Sequence, residues 1–210
     1  MEAKTAWRCP CVRLVQRVAI CLCAVLSAAG ETTRTCAYDS QGRMRQVQCE
    51  GRTVTYSYDY LGRLYSRTES GGATTKYVYH GRQTVSEYGV VQKRYLVSGI
   101  DEVLAFRDGS VRYLHHDGLN NVTLATGISN EVIERVSCDA FGEPVFRDAD
   151  YAPAETNASS IGNRHLFTGR EWEPGIRLYQ YRARFYSPAT GRFLQPDPSG
   201  LSGGLNLYAY

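Results

Sequence analysis

The chain has 210 residues, of which 43% are hydrophobic and 21% are charged, so it has enough apolar side chains to form a core. Its 16 Tyr and 20 Gly, against only 2 Met, favour strands and turns over helices and exclude a disordered chain. The net charge of +3 arises before residue 31, and the rest of the chain carries equal numbers of basic and acidic residues. Nucleic-acid binding requires a basic patch, so we exclude that class.

Residues 1–30 have the order of a secretory signal peptide. Basic residues precede the apolar run Val18–Leu26, and small residues follow it up to Gly30. The apolar run is too short to span a bilayer as a helix, which takes about 20 residues. The sequence therefore predicts a signal peptide of residues 1–29 or 1–30 and a secreted or cell-surface protein. A short buried helix, or a start codon placed too far upstream, would give the same pattern.

Few cysteines remain beyond the predicted signal peptide, and their spacing matches neither a disulfide framework nor a zinc site. They are Cys36, Cys49 and Cys138. One bridge, Cys36 to Cys49, is a candidate. If Tyr38 pairs with Arg43 across the intervening turn, Cys36 lies opposite Arg45 and about 13 Å from Cys49 along the strand. A disulfide does not reach that far, so we expect both thiols to be unbridged.

A unit of about twenty residues repeats along the first half of the chain. The segment Tyr38–Met44 (YDSQGRM) returns as Tyr58–Leu64 (YDYLGRL). A weaker copy follows at Tyr79–Arg82 (YHGR), and Cys138–Glu143 (CDAFGE) keeps the Asp and Gly spacing. Alternating runs such as Thr53–Tyr58 separate the units, which is typical of strands with a side-chain period of two.

Each position of the unit has a role in a tight turn between strands. The Tyr ends a strand, the Asp accepts hydrogen bonds from the backbone of its own turn, and the Gly supplies a positive φ. The Arg and the apolar residue after it open the returning strand, and a second turn such as Glu50–Arg52 sends the chain back. The sequence therefore predicts an all-β fold, an antiparallel meander in which each repeat stacks on the previous one.

The repeated unit resembles the YD repeats of the Rhs family, which includes bacterial polymorphic toxins, insecticidal toxin-complex subunits and animal teneurins. From residue 111 onward the sequence is similar to the Rhs repeat-associated core domain. The matching segments are Val111–Thr123, Phe167–Glu171, Leu178–Pro188, Gly191–Pro198 and Gly203–Tyr210. The resemblance covers residues 36–210 and divides the chain into a signal peptide (1–30), YD repeats (31–110) and a truncated core region (111–210).

This resemblance implies strands that spiral into a large hollow shell. In toxin-bearing members the shell encloses a C-terminal effector, and the core domain plugs one end. The implied function is structural containment, with the remainder of a shell or an enclosed effector as partner and no cofactor. About 180 mature residues form too few strands to enclose a protein, so we expect a fragment of a larger shell, prone to aggregate at an uncovered edge strand.

Asp197 is the one candidate catalytic residue, by resemblance only. It matches an aspartate implicated in the self-cleavage that many core domains perform, although Pro196 precedes it where many members have Arg. The sequence ends at Tyr210, before the second carboxylate and the cleavage point of the family pattern. Because a single carboxylate cannot act as both acid and base, we expect a turn residue and no enzyme. An aspartate-dependent self-cleaving domain is one alternative.

A carbohydrate-binding module is the other alternative, with cell-surface carbohydrate as its partner. Tyr-rich repeats can form solenoids that stack sugar rings on exposed aromatic faces. Tyrosines exposed in rows would favour such a module, whereas buried tyrosines would favour a shell. No metal site is expected at His115 and His116, because adjacent residues on a strand point to opposite faces.

Aromatic residues and arginines are interleaved between Arg177 and Tyr186. The aromatic residues are Tyr179, Tyr181, Phe185 and Tyr186, and the arginines are Arg177, Arg182 and Arg184. Guanidinium groups stack on aromatic rings. We therefore expect this segment to be one strand with both faces covered.

Overall fold

The computed structural model describes residues 33–210 and, as backbone only, Cys23–Val25. The predicted signal peptide otherwise lies outside the described residues. Within the described part of the chain, no helix has the length and apolar character needed to cross a membrane.

Two antiparallel sheets make up the described part of the chain, which confirms the predicted all-β class. Within these residues the large sheet has 13 strands, each bonded to the next one in the sequence. They are β1 (Cys23–Val25), β2 (Arg34–Tyr38), β3 (Met44–Cys49), β4 (Arg52–Tyr58), β5 (Leu64–Glu69), β6 (Thr74–His80), β7 (Gln83–Tyr88), β8 (Lys93–Gly99), β9 (Glu102–Arg107), β10 (Val111–His116), β11 (Val122–Thr126), β12 (Val132–Cys138) and β13 (Pro144–Arg147). The sheet runs across residue 110 without a break, and the predicted boundary there stays a prediction.

The small sheet has four strands in chain order. They are β14 (Glu171–Glu173), β15 (Leu178–Tyr181), β16 (Arg184–Ser187) and β17 (Arg192–Phe193). Two short 3₁₀ segments flank it, Phe167–Gly169 and Gly200–Gly203.

The turns of the repeated unit share one geometry. The Asp39 N–H donates to the Arg43 carbonyl at 2.9 Å, and the Asp39 carboxylate accepts from the backbone N–H groups two and four residues later. Asp59 makes the same three bonds in the next unit. Gly42 and Gly62 take φ values of 74° and 78°, which only glycine adopts readily. The local sequence alone therefore determines these turns.

The tyrosines of the second and third copies of the unit bond to the preceding repeat. The Tyr58 hydroxyl donates to the Met44 carbonyl at 2.7 Å, and the Tyr79 hydroxyl donates to the Leu64 carbonyl at 2.8 Å. The arginine of the preceding turn lies over each ring, 4.7 and 4.9 Å from the two centroids. These tyrosines therefore connect consecutive repeats, as the meander requires.

The predicted register of the first hairpin was wrong by one residue. Tyr38 pairs with Met44 rather than Arg43, because Arg43 closes the Asp turn with its own carbonyl. The second hairpin has the same register, with Tyr58 opposite Leu64. Tyr38 and Tyr58 therefore occupy equivalent positions on successive repeats.

The corrected register changes the neighbours of the cysteines. Cys36 lies opposite Val47 and not Arg45, because a bulge between Ala37 and Tyr38 shifts the pairing by one further residue, and Cys49 lies opposite Arg34. No disulfide joins Cys36 to Cys49, as predicted.

The large sheet curls around the small one. Strands lie about 4.8 Å apart, so β2 and β13 would be separated by about 50 Å in a flat sheet. Both ends nevertheless contact the connection between β14 and β15. Arg34 in β2 donates to the Ile176 carbonyl at 2.8 Å, and Arg177 donates to Glu143, beside β13, at 3.1 Å. The small sheet therefore fills the inside of the curve.

Apolar side chains of both sheets pack in the interior. The first cluster joins strands β2–β6 to Ile176, Leu178 and Phe185 of the small-sheet region. A second cluster joins Val136 and Phe146 to the aromatic residues Trp172, Tyr179, Tyr186 and Phe193. The core thus lies between the two sheets, and each sheet needs the other to bury its apolar face.

Residues 177–186 form a hairpin and not the single strand that we predicted. Tyr179 in β15 lies opposite Tyr186 in β16 on one face of the hairpin, and Leu178 and Phe185 point to the other face. All four are buried, so the prediction of two covered faces is confirmed. The turn has no glycine, asparagine or aspartate to mark it. Arg182 takes a φ of 58° there, held by an ion pair to Asp101 at 2.5 Å.

The free edge of β13 is covered by the loop that follows it. The Asn157 side chain accepts from the Phe146 N–H at 3.2 Å and donates to the Pro144 carbonyl at 2.7 Å. The Ala154 N–H donates to the Phe146 carbonyl at 3.1 Å. The expected uncovered edge is therefore absent at this end of the described sheet, because the loop bonds its backbone groups.

Candidate functional site

A cavity of about 510 Å³ lies where the turns of the large sheet meet the small sheet. The turns after β4, β6 and β8, which share one edge of the meander, form one wall. The β15–β16 turn and residues 197–198 form another. Five arginines and three carboxylates line it, the latter being Asp101, Glu171 and Asp197. We call it the rim cavity; its size is typical of ligand sites.

Asp197 lies in a turn at the wall of the rim cavity. Its carboxylate accepts from the Ser199 N–H at 2.7 Å and from the Ser199 hydroxyl at 2.5 Å, and it pairs with Arg184 at 3.1 Å. The bonds from Ser199, with a smaller contribution from Arg184, hold the pKa of Asp197 below its ordinary value. Asp197 is therefore ionised at neutral pH and is not a proton donor there. A catalytic role for it stays a prediction.

Asp101 is a second aspartate of the rim cavity, which the sequence analysis missed. One carboxylate oxygen pairs with Arg170 at 2.6 Å and the other with Arg182 at 2.5 Å. Its backbone carbonyl accepts from the Asn120 side chain at 2.9 Å. Asp101 thus joins the β8–β9 turn to the small sheet. An aspartate in a turn between two alternating runs is too common a pattern to reveal this role.

A buried ionic cluster joins the two sheets behind the cavity wall. Arg164 donates to Glu171 at 2.6 Å and forms an ion pair with Glu173 at 3.3 Å, and Arg67 in β5 donates to Glu173 at 2.7 Å. The Tyr77 hydroxyl accepts from Arg164 at 3.1 Å. The Glu173 side chain is only 1% exposed. These directional contacts fix the position of β14 against the wall.

Two buried groups of the cavity lining have shifted pKa values. Burial raises the pKa of Glu171 to about 7 against the opposing effect of Arg164, and the carboxylates of Glu87 and Glu173 add to the rise. Burial lowers the pKa of His165 to about 4, so its imidazole is neutral at pH 7. The lining therefore combines a neutral histidine with a carboxyl group that titrates near neutrality.

Glu171 gives the stability of the chain a measurable pH dependence. Its pKa is higher in the folded state than the ordinary value of 4.5, so its contribution to stability is greatest at low pH and decreases as pH rises to about 7. His165 has the opposite effect between about 4 and 6.5, because its folded pKa is lowered. We expect the unfolding free energy of the wild type, minus that of Glu171→Gln, to fall by about 1–3 kcal/mol from pH 5 to pH 7.5.

Urea denaturation of both proteins across that range checks this expectation. The subtraction removes the contribution of His165 and of other groups that titrate equally in the two proteins. A difference that rises with pH, or that stays constant, would contradict a raised pKa for Glu171.

Comparison with known proteins identifies the repeat. The RHS Repeat family matches residues 38–74, which contain the two clearest copies of the YD unit. The chain is 26% identical over 189 residues to the tRNA3(Ser)-specific nuclease WapA of Bacillus spizizenii, covering 84% of this chain and 8% of that protein. It is also 26% identical over 212 residues to the double-stranded DNA deaminase toxin A of Burkholderia cenocepacia, covering 85% of this chain and 14% of that protein.

A solved structure shares the fold. The crystal structure of TcdB2-TccC3 matches with a TM-score of 0.58 and 18% identity, covering 84% of this chain and 10% of that one. The curved repeat sheet and these matches define a toxin-related protein built from β repeats. The chain therefore contains RHS repeats and is related to polymorphic toxins, as the sequence resemblance indicated. It spans 8% and 14% of the length of the two curated relatives named above.

Proposed function

We propose that the chain supplies part of the wall, together with the internal plug, of a secreted or cell-surface Rhs-type shell that contains an effector. The observation that carries the proposal is the curled 13-stranded sheet whose interior is filled by the small sheet. Its partners are the remainder of the shell and the enclosed effector. The segment itself performs no turnover. The names of the two relatives state nuclease and deaminase activities. We assign these activities to other parts of those proteins.

The environment of the repeat tyrosines favours a wall over a carbohydrate-binding module. Tyr56 and Tyr77 are buried in the core. Tyr58 and Tyr79 donate their hydroxyls to the backbone and have arginines over their rings. Stacking on a sugar needs an accessible aromatic face, and the faces of these four rings are occupied.

The environment of Asp197 argues against a role as the acid of a self-cleaving pair. The acid of an aspartate pair is the member whose pKa is raised. Asp197 instead pairs with Arg184 and has a lowered pKa. Within the described residues, no group of three or more His, Cys, Asp or Glu side chains is arranged to hold a metal ion.

Protection of the effector tests the containment role. The full chain is expressed together with the Rhs-coding sequence that flanks it at its locus, and the effector in the purified assembly is digested with trypsin. We expect a hollow particle by negative-stain electron microscopy and an effector that resists digestion until the assembly is denatured. An effector digested as fast inside the assembly as when free would contradict containment. The same assembly carrying Tyr56→Phe is the matched control. This substitution keeps the core filled and should leave the effector protected.

A further inference from the structure

We propose that the rim cavity binds an extended acidic peptide through two carboxylate side chains three residues apart. This ligand goes beyond the containment role and does not depend on it. The peptide would lie along the turn edge of the large sheet, between that edge and the β15–β16 hairpin. The proposal depends on the distribution of charge in the cavity, on the spacing of the turns and on two buried polar atoms.

Part of the charge in the cavity is already neutralised. Arg63 pairs with Asp59 at 2.7 Å, and Arg184 pairs with Asp197 at 3.1 Å. The third lining carboxylate, Glu171, is paired with the buried arginine behind the wall. In these three ion pairs every carboxylate and every arginine has a partner of opposite charge, so none of them is available to neutralise a ligand.

Positive charge remains in excess at two points of the cavity. Arg170 and Arg182 share the single carboxylate of Asp101, which leaves one positive charge in excess. Arg82 lines the cavity, is exposed, and forms no ion pair with any residue that the structure describes. A ligand with two negative groups would neutralise both points.

The two points of excess charge belong to different turns on the same edge of the sheet. Arg82 lies in the β6–β7 turn and Asp101 in the β8–β9 turn, two strand spacings away, which is about 10 Å. The Gln83 side chain accepts from the Asp101 N–H at 2.8 Å and so holds the two turns together. An extended peptide rises about 3.3 Å per residue, so side chains three residues apart match this separation.

Two polar atoms in the cavity lining indicate a ligand with both a donor and an acceptor. Nη1 of Arg184 and Nε2 of His165 are buried and have no hydrogen-bond partner among the described residues. His165 is 3% exposed and neutral, and its Nδ1 lies 3.2 Å from the Gly169 carbonyl, so Nε2 carries the lone pair and needs a donor. Arg184 needs an acceptor. A peptide backbone offers an N–H and a carbonyl, whereas a fully ionised phosphate offers acceptors only.

The aromatic residues of the cavity do not favour a nucleic acid. Single-stranded nucleic acid stacks its bases on exposed aromatic rings. Tyr79 and Tyr181 line the cavity, but Arg63 and Arg170 lie over them at 4.9 and 5.0 Å from the ring centroids. A single-stranded nucleic acid would therefore meet positive charge in the cavity but no free aromatic face on which to stack its bases.

Fluorescence anisotropy on the full chain tests the proposal. The probe is a fluorescein-labelled peptide, Gly-Glu-Gly-Ser-Glu-Gly, with its glutamine analogue and a version with adjacent glutamates as peptide controls. We expect binding of the first peptide only, and weaker binding as salt is raised. Arg82→Glu should weaken binding at least about tenfold, because it places like charges together, and Arg82→Gln should weaken it less. Arg45→Glu is the matched control, since Arg45 is an exposed arginine on β3, outside the cavity.

Circular dichroism establishes that each variant is folded, and inorganic phosphate and a short oligothymidylate are tested as competitors. Four results would overturn the proposal. The wild type fails to bind the peptide, or Arg82→Gln binds it as tightly as the wild type does. Phosphate displaces the peptide at equal concentration, or the oligothymidylate binds more tightly than the peptide.

Discussion

Tyr56→Ala is expected to destabilise the chain by about 3–5 kcal/mol, the usual cost of removing a large buried aromatic side chain. Tyr56 is fully buried on the inner face of β4, with its ring centroid 4.9 Å from that of Phe185 in β16. The substitution therefore leaves a cavity at the contact between the two sheets. Urea denaturation followed by circular dichroism measures the loss, with the extrapolated free energy of unfolding as the readout.

Tyr56→Phe is the matched control for this prediction. The Tyr56 hydroxyl is buried and has no hydrogen-bond partner among the described residues. Because an unsatisfied buried polar group costs about 1–3 kcal/mol, its removal should leave stability equal or higher. If phenylalanine proved as harmful as alanine, the packing of the ring could not explain the role of Tyr56.

Glu173→Ala is expected to cost about 3–5 kcal/mol, because it removes the shared, buried partner of two largely buried arginines. Arg67 donates to Glu173 and Arg164 forms an ion pair with it, so the variant leaves their like charges close together without the carboxylate between them. The same denaturation experiment measures the effect. Loss of the cluster should also weaken the attachment of β14 to the wall, which faster amide exchange in β14 would report.

Glu69→Ala provides the comparison for the buried cluster. Glu69 also pairs with Arg67, at 3.1 Å, but its side chain is 28% exposed. Exposed ion pairs contribute about 0–1 kcal/mol, so this variant should change stability little. Equal losses for Glu69→Ala and Glu173→Ala would show that burial does not determine the strength of these pairs.

The local architecture could be predicted from the sequence because the residues of each turn form the hydrogen bonds and backbone angles that define it. Asp39 and Asp59 bond to the backbone within four residues, and Gly42 and Gly62 supply the positive φ of the same turns. The alternation of residues then gives strands whose neighbours in the sequence are neighbours in the sheet. The register error arose because Arg43 lies inside the turn rather than in the strand and because a bulge lies between Ala37 and Tyr38.

Other features had no local signal in the sequence. The β15–β16 turn contains Arg182 with a positive φ, a position that arginine adopts rarely and that the ion pair to Asp101 supports here. The edge-covering role of Asn157 depends on bonds to residues 11 and 13 positions earlier. Neither residue differs in type or spacing from ordinary surface residues.

The all-β class, the repeated turns and the order of strands follow from the amino-acid sequence, because they depend on hydrogen bonds and side-chain periods within about twenty residues. The curl of the sheet, the lining of the rim cavity and the identity of the buried charges depend instead on how distant segments pack. Arg67 and Glu173, for example, are 106 positions apart and meet only because the small sheet packs inside the curve. Contacts over such separations depend on the packing of whole elements, which a local pattern of residues does not encode.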